Sequence, residues 1–412
     1  MKCESFVAKG LSSMQVRPRR LKFFRNFLFT VTCTFILTSI LQSEPALAVG
    51  IGQVIDFSLP QEYVSPRALG MGNAFVGLAD DYNAIFYNPA GLARLKQPQI
   101  NLGIGALLDS KVIKFKNDLS TASSSGNVQN VVSLLDTDFG NYYAARATVA
   151  AFWARAGWEI AIIPVDIQAS LAIHQLGGAA ADLLANQDTT VAFGKGWDVN
   201  WFKQDRMSLG ITGKLVYRGN YNHEFEATDL AFSSNLLRAQ DATEGLTADI
   251  DFGTLWTPKI SSTSKWRFLR PSVGFVVRNV ADYGFPINLH LIDQNTQYQP
   301  PHLGRRFDVG TAWELPDFWI FKTHFLADMR DMGATNFTLT KGSHVGAEFL
   351  WKIRNWWQGG WRIGANQGYF SSGVTGKLGI FNLDIATYAE EVGPSNVTLA
   401  SRQYVGKVSL DW

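Results

Sequence analysis

Apolar and polar residues alternate along most of this chain from about residue 98 onward. Ile100, Leu102, Ile104, Ala106 and Leu108 are set against Asn101, Gly103 and Gly105. Leu209, Ile211, Gly213, Leu215 and Tyr217 alternate with Gly210, Thr212, Lys214 and Val216. Leu246, Ala248, Ile250, Phe252, Thr254 and Trp256 alternate with Thr247, Asp249, Asp251, Gly253 and Leu255, and Val345, Ala347, Phe349 and Trp351 with Gly346, Glu348, Leu350 and Lys352. A period of two describes strands with one apolar face. The segments run about ten residues, the length a tilted strand needs to cross a bilayer. In hydrocarbon every backbone N–H and C=O must find a partner within the protein, so such strands must close on themselves.

Candidate strands lie near 98–109, 143–153, 156–165, 167–175, 189–201, 206–218, 220–229, 245–257, 266–279, 305–315, 319–330, 343–353, 360–368, 372–381, 383–390 and 402–412. Single-chain barrels of bacteria use even strand numbers. Fourteen is the expected number, with one or two segments being loop or hairpin extensions. The fold class is therefore all-β: a closed antiparallel transmembrane β-barrel of about fourteen strands. Four stretches break the period. Residues 117–137 are Ser/Asn-rich and then helical, and 176–187 read as a short helix. Residues 229–243 place Leu230, Phe232, Leu236 and Leu237 at helical spacing, and 284–304, with Pro286, Pro300 and Pro301, form a long irregular loop.

Two features of composition sharpen this picture. The chain holds 13 tryptophans, many near the ends of alternating segments. Their rings favour the membrane interface, where the apolar body is buried and the N–H stays wet, and barrels carry such aromatic girdles at both rims. Charged residues also fall inside the strands: Arg146, Arg155, Lys214, Asp249, Asp251, Arg267, Arg362, Lys377 and Asp384. An Arg or Lys facing lipid at the midplane costs about 2–4 kcal/mol, so these side chains are expected to point inward or sit at the rims.

The amino-terminal end reads differently. Arg17, Arg19, Arg20, Lys22 and Arg25 precede an apolar run from Phe27 to Leu41, followed by Ala46-Leu47-Ala48. A basic region, a short apolar region and an A-x-A site describe a secretory signal peptide. The apolar run is shorter than the ~20 residues of a membrane helix. Residues 1–48 are read as this leader, cleaved near Ala48, and they hold both cysteines, Cys3 and Cys33. The remainder thus has no disulfide framework, thiol chemistry or cysteine metal site. The whole chain has 37 basic and 35 acidic residues; beyond the leader the balance is 30 against 33, a net of −3 with no basic footprint for nucleic acid.

At the other end, Tyr404, Gly406, Val408, Leu410 and Trp412 form one apolar face of a last strand. This ending resembles the terminal strand read by the barrel-insertion machinery of the bacterial outer membrane. Between leader and first strand lies a non-alternating stretch from Ser65 to Ala93, with Ala68-Leu69-Gly70-Met71-Gly72-Asn73-Ala74-Phe75, then Ala79-Asp80-Asp81, then Asn88-Pro89-Ala90-Gly91-Leu92. It resembles the amino-terminal region of the FadL/TodX and PorV-like outer-membrane family. A second stretch, His344 to Phe349, Trp361 to Gly368 and Ala386 to Gly393, also looks like this family.

The resemblance implies a plug over residues 49–97 inside a barrel over 98–412, with hydrophobic substrates binding in the barrel and leaving sideways through the wall. On this sequence it carries over to the plug positions Gly70, Gly72, Asn88, Pro89 and Ala90. Glycine permits close approach and positive φ, Pro89 holds Asn88 out of the helical region, and Asn88 can bond its neighbouring backbone. The implied function is an outer-membrane channel for hydrophobic or amphiphilic small molecules, fatty-acid or hydrocarbon-like, with surrounding lipids and the insertion machinery as partners. The alternative is a PorV-like barrel acting with secretion partners or in surface attachment. No enzyme, cofactor or metal is expected. Asp80-Asp81 with Asn83 lacks the further ligands of a calcium loop. The six histidines form no H-x-x-x-H pair and no G-x-S-x-G elbow is present, although His324 and His344 are the candidates a barrel hydrolase would need.

Overall fold

A computed structural model of the chain describes residues 58–412 other than 175–177, 202–204, 233–240, 261–269, 293–297 and 395–397. The leader with Cys3 and Cys33, and Leu236, Leu237, Trp266 and Arg267, lie outside the described residues.

Fourteen strands follow in chain order. They are β1 Gln99–Asp109, β2 Tyr142–Arg155, β3 Trp158–His174, β4 Ala180–Val199, β5 Arg206–Glu226, β6 Ala242–Thr257 and β7 Arg270–Arg278, then β8 Arg306–Glu314, β9 Phe321–Met332, β10 Ser343–Arg354, β11 Trp357–Asn366, β12 Tyr369–Leu378, β13 Phe381–Glu391 and β14 Ala400–Asp411. Each pairs antiparallel with its neighbours, and β1 pairs with β14 to close the barrel. Closure leaves no free edge strand, as a lipid environment requires, although β6 meets β7 only from Phe252 to Trp256. The sixteen candidate segments become fourteen strands because 156–165 and 167–175 are both β3, and 206–218 and 220–229 both fall largely in β5.

Alternation sets the two faces. Leu102, Ile104, Val191, Phe193, Ile250, Phe252, Leu383, Ile385 and Val408 are exposed on the outside. Their strand neighbours point inward, among them Asn101, Lys407, Asp251 and Asp384, all buried. An apolar outside around a polar inside is the pattern of a barrel that sits in lipid. No helix among the described residues is long and apolar enough to cross a membrane. Arg146, Lys214, Asp249, Asp251, Arg362 and Asp384 are buried inside, and Arg155 sits exposed at a rim.

The tryptophans depart from the two-girdle expectation. Trp153, Trp158, Trp197, Trp201, Trp256, Trp313, Trp319, Trp351, Trp356, Trp357 and Trp412 lie at or near strand ends on one rim, where β1 begins and β14 ends, and Trp361 lies mid-strand in β11. Outward positions toward the opposite rim carry Phe370 and Tyr404 instead.

The wall is uneven in height: β3, β4 and β5 run 17, 20 and 21 residues, whereas β7 and β8 run 9 each. The tall side rises on the long-loop rim. There α1 to α3 of the loops, Val112–Ser124, Val128–Thr137 and Ala227–Phe232, lay Phe115, Val131 and Leu135 over Tyr143, Ile173 and Ala181. By alternation with inward-facing Arg146 and Asp182, these wall residues point away from the lumen. This corrects the helix expected over 176–187: from Ala180 the chain is β4. The loop helices cover the outward face of this wall, so outward positions such as Ala181 need not carry the large apolar side chains of a lipid-facing strand and the alternation weakens.

Residues 58–97 are not part of the sheet. They carry two short helices, α4 at Pro66–Gly70 and α5 at Ala84–Tyr87, and a 3-10 helix at Pro89–Arg94. Tyr63, Phe75, Ile85, Tyr87 and Leu92 of this inner segment form one buried cluster with Phe152, Ala161, Leu255, Ala312 and Leu326 of the wall. The largest hydrophobic core of the described protein therefore lies inside the barrel.

Candidate functional site

The inner segment meets the wall at two places on opposite sides of the ring. The first involves Gly70 and Gly72. Pro66 opens α4 at a position where its missing N–H costs nothing, and Leu69 N–H donates to Ser65 O at 2.9 Å. A Cβ on Gly70 would lie 3.0 Å from Gly373 Cα. Gly72 has φ +66° and a Cβ there would lie 2.3 Å from Ala365 O, so both conformation and space demand glycine. The wall answers in kind, because Gly346 and Gly364 face the Met71 backbone. His344 Nδ1 is 2.8 Å from Gly72 O; a carbonyl only accepts, so this nitrogen bears the proton.

The second place holds Asn88, Pro89 and Ala90. Asn88 is fully buried. Its Oδ1 accepts from Ala90 N–H at 3.1 Å, capping the 3-10 helix. Its Nδ2 donates to Val76 O at 2.9 Å and to Thr254 O of β6 at 3.0 Å. Pro89 lies against Gly210 and Gly253, where a Cβ would approach to 2.1 Å and 2.8 Å respectively. The three residues thus join the inner segment to β5 and β6, while Gly70 and Gly72 join it to β10–β12.

Charged latches complete the attachment. Arg67 donates to Glu348 through Nε at 2.8 Å and Nη2 at 2.6 Å, and Nη1 reaches Asp80 at 2.8 Å and Asp81 at 2.6 Å. Asp80 and Asp81 therefore serve an arginine rather than a cation site. Glu348 also accepts from Arg362 Nε at 2.7 Å. Asp328 Oδ2 accepts the Phe75 and Val76 N–H groups at 2.6 and 2.7 Å. Near the long-loop rim Lys214 meets Glu62 at 2.6 Å, Arg146 donates to Gln61 O at 3.0 Å and Arg306 to Pro60 O at 2.6 Å. Burial works to raise the Glu62 carboxyl, but Lys214, Arg278 and Arg306 together outweigh it and hold the group at about 2.

Within this polar frame one region is aromatic. Tyr63 stacks on Phe86 at 4.8 Å, and Tyr63, Tyr82 and Phe86 all contact Phe152 of β2. Phe152 is paired with Ala161 of β3, close to a bulge at Pro164 that breaks the register with both β2 and β4. Proline has no N–H to give the ladder, which accounts for the break. Cavities flank the inner segment: about 170 Å³ toward the long-loop rim, and about 540 and 470 Å³ toward the tryptophan rim. His324 lies on Glu348 at 3.2 Å and His344 on Gly72 O; neither bonds a serine among the described residues.

Arg67, Glu62, Asp328, Glu348 and the inward wall glycines were not singled out from the sequence. Their signal was available: glycine at the polar positions of alternating strands, as at Gly210, Gly253 and Gly346, marks a wall that something else approaches.

No family model matches the chain and no curated protein matches it. Among solved structures it is similar to the Ralstonia pickettii toluene transporter TbuX, at 10% identity over 85% of this chain and 98% of that one, TM-score 0.43. It is similar to the Pseudomonas putida toluene transporter TodX, at 8% identity over 84% and 96%, TM-score 0.41. It is also similar to the monoaromatic hydrocarbon channel CymD, at 9% identity over 84% and 97%, TM-score 0.40.

Proposed function

We propose that this chain is a bacterial outer-membrane channel for hydrophobic or amphiphilic small molecules, with residues 58–97 acting as its plug. The observation that carries the reading is the aromatic cluster of Tyr63, Tyr82, Phe86 and Phe152 beside the Pro164 bulge. In a lumen otherwise braced by ion pairs, this cluster offers the apolar path from the interior to the lipid-facing wall. A bulge is where a sheet opens most cheaply, because its backbone pairing is already interrupted. The plug fills the lumen, so passage requires it to shift. Its attachments are discrete: Gly70 and Gly72 on one side, Asn88-Pro89-Ala90 on the other, with Arg67 as an ionic tether. Release of some of these contacts, without unfolding of the barrel, is the proposed gating event. Residues 1–48 act as the export signal, and the last strand ending in Trp412 addresses the chain to the insertion machinery.

The test is uptake of radiolabelled toluene and dodecanoate into proteoliposomes holding the purified protein. Faster entry than into protein-free liposomes is expected, and Pro164→Val, which restores a ladder donor, is expected to slow it. Entry no faster than into empty liposomes, together with stable co-purification of a secretion partner, would favour the secretion role instead.

A further inference from the structure

At the long-loop rim the tall strands β3, β4 and β5 end side by side. Along the inward face of β4 and β5, Asp188 opposes Arg218, Asn186 opposes Asn220 and Asp182 opposes Glu224. The first two rungs match chemically: Asp188 and Arg218 form an ion pair at 2.6 Å, and Asn220 donates to Asn186 at 2.8 Å. The rung nearest the rim sets two carboxylates directly across from each other. Like charges so placed destabilise an antiparallel pair. The third strand answers with an imidazole, since His174 of β3 opposes Ala180 of β4, two positions from Asp182 and on the same face. Elsewhere in the lumen buried carboxylates meet a guanidinium or an ammonium, as Asp166 meets Arg146 and Asp251 meets Lys214. Here the residue set against them is one that can give a metal ion a lone pair.

His174 Nε2 lies 3.0 Å from Asp182 Oδ2 and 4.0 Å from Glu224 Oε1, and the three ligand atoms all fall within 4.8 Å of one another. Two ligands each about 2.1 Å from one divalent ion stand about 3.0–3.4 Å apart. The His174–Asp182 distance already meets this, and Glu224 needs to come in by about 1 Å. It has the freedom to do so: its side chain is 36% exposed, against 2% for Asp182 and 12% for His174. The same exposure gives an ion its way in and leaves room for water ligands, while two of the three protein ligands are held by the packed wall.

We propose that His174, Asp182 and Glu224 bind a divalent transition-metal ion at the long-loop rim, clipping β3, β4 and β5 together. Two carboxylates and a neutral imidazole balance the charge of such an ion. One nitrogen with two oxygens suits Zn²⁺, Fe²⁺ or Mn²⁺, whereas Ca²⁺ and Mg²⁺ take oxygen ligands. The ion removes the repulsion across the Asp182–Glu224 rung. It also fixes the root of α3, which follows β5 directly and packs Leu230 on the cluster outside the wall. The ligands come from three strands and meet only through strand pairing, so no sequence spacing announces them and the sequence led to no metal being expected. The inference does not depend on what the channel carries.

Calorimetric titration of the full-length protein in zwitterionic nanodiscs, purified without a polyhistidine tag, tests this with ZnCl₂, MnCl₂ and CaCl₂ as probes. One Zn²⁺ per chain is expected, with Mn²⁺ weaker and Ca²⁺ weaker by about a hundredfold or more, because Ca²⁺ gains little from the imidazole. His174→Ala and Glu224→Gln are each expected to weaken Zn²⁺ binding by about tenfold or more. Zn²⁺ is expected to raise the urea midpoint of the parent and not that of the variants. Heat-modifiable gel migration reports whether the variants fold. Glu224→Gln keeps the shape of a partly exposed side chain, so it carries the test if His174→Ala does not fold. Absence of Zn²⁺ binding, or Zn²⁺ binding untouched by either substitution, overturns the site. Ca²⁺ binding as tightly as Zn²⁺ overturns the imidazole as a ligand. Zn²⁺ binding with no rise in the midpoint overturns the clip.

Discussion

Arg67 of the inner segment and Glu348 of β10 face each other as a two-point fork, at 2.8 and 2.6 Å, with Glu348 fully buried. Arg362 and His324 converge on the same carboxylate. Glu348→Gln removes the charge that two guanidinium groups share. Breaking a buried pair by deleting one partner costs about 3–5 kcal/mol. The variant is expected to keep the barrel and loosen the inner segment. Limited trypsinolysis in nanodiscs should show cleavage at Arg67 that the parent resists. An unchanged digestion pattern would mean that the segment is held elsewhere.

Glu62 gives the attachment an acid limit. Its carboxyl lies at about 2 against an ordinary 4.5. The folded-state value is depressed, so docking gains from its ionised form. That gain is complete above about pH 4.5 and fades as pH falls toward about 2. A fluorophore on a cysteine placed at Ser58 should report no change from neutral pH down to about 5 and progressive release below about 4. Release near neutral pH would show that Glu62 does not control this end.

Gly253 and Asn88 make a packed contact that tolerates no extra atom, since a Cβ on Gly253 would lie 2.2 Å from Asn88 Oδ1. Gly253→Val is expected to cost about 1–3 kcal/mol, the usual range for overpacking. Asn88→Ala leaves the Ala90 N–H and two carbonyls without their partner, at about 1–3 kcal/mol. Because the two share one contact, the double variant should lose less than the sum. Urea midpoints read from the heat-modifiable band measure all three, and strict additivity would separate the two residues.

Glu159 of β3 is fully buried, and neither carboxylate oxygen has a hydrogen-bond partner among the described residues. An unpartnered buried carboxyl is a standing penalty on the closed arrangement. Glu159→Leu is expected to stabilise the protein by about 1–3 kcal/mol and to slow solute entry if the plug moves away from β3 during passage. A lower midpoint would reveal a partner for Glu159 in solution.

The one-sided tryptophan belt predicts an asymmetric optical signature. Lipids brominated high on the acyl chain should quench most of the tryptophan emission, and lipids brominated near the bilayer centre little of it. Iodide admitted only to the compartment facing this rim should quench more than iodide on the other side. Equal quenching from both sides would contradict the belt.

The barrel was legible because its signal is local. Alternation at Ile100–Leu108 and Leu246–Trp256 fixes which side chains face lipid, and backbone pairing in hydrocarbon forces closure. Of the three misread elements, β5 among them, two misled for stated reasons. Residues 176–187 lost their alternation because helices cover the outside of the tall wall, and 156–175 looked like two strands because Pro164 inserts a bulge into one. Within the site, the positions of Gly70, Gly72 and Asn88-Pro89-Ala90 came from a motif, yet their partners did not.

The sequence by itself determined a strand-crossing protein with apolar residues outward, charges inward and a non-alternating stretch ahead of β1. Only the tertiary structure decided that Arg67 reaches Glu348, that Asn88 bonds Thr254 O, that wall glycines receive the inner segment and that the described tryptophans other than Trp361 gather at one rim. A period of two is written into neighbouring residues. Contacts between positions 281 apart, as for Arg67 and Glu348, depend on closing the ring and folding a second segment inside it, and no local pattern encodes that distance.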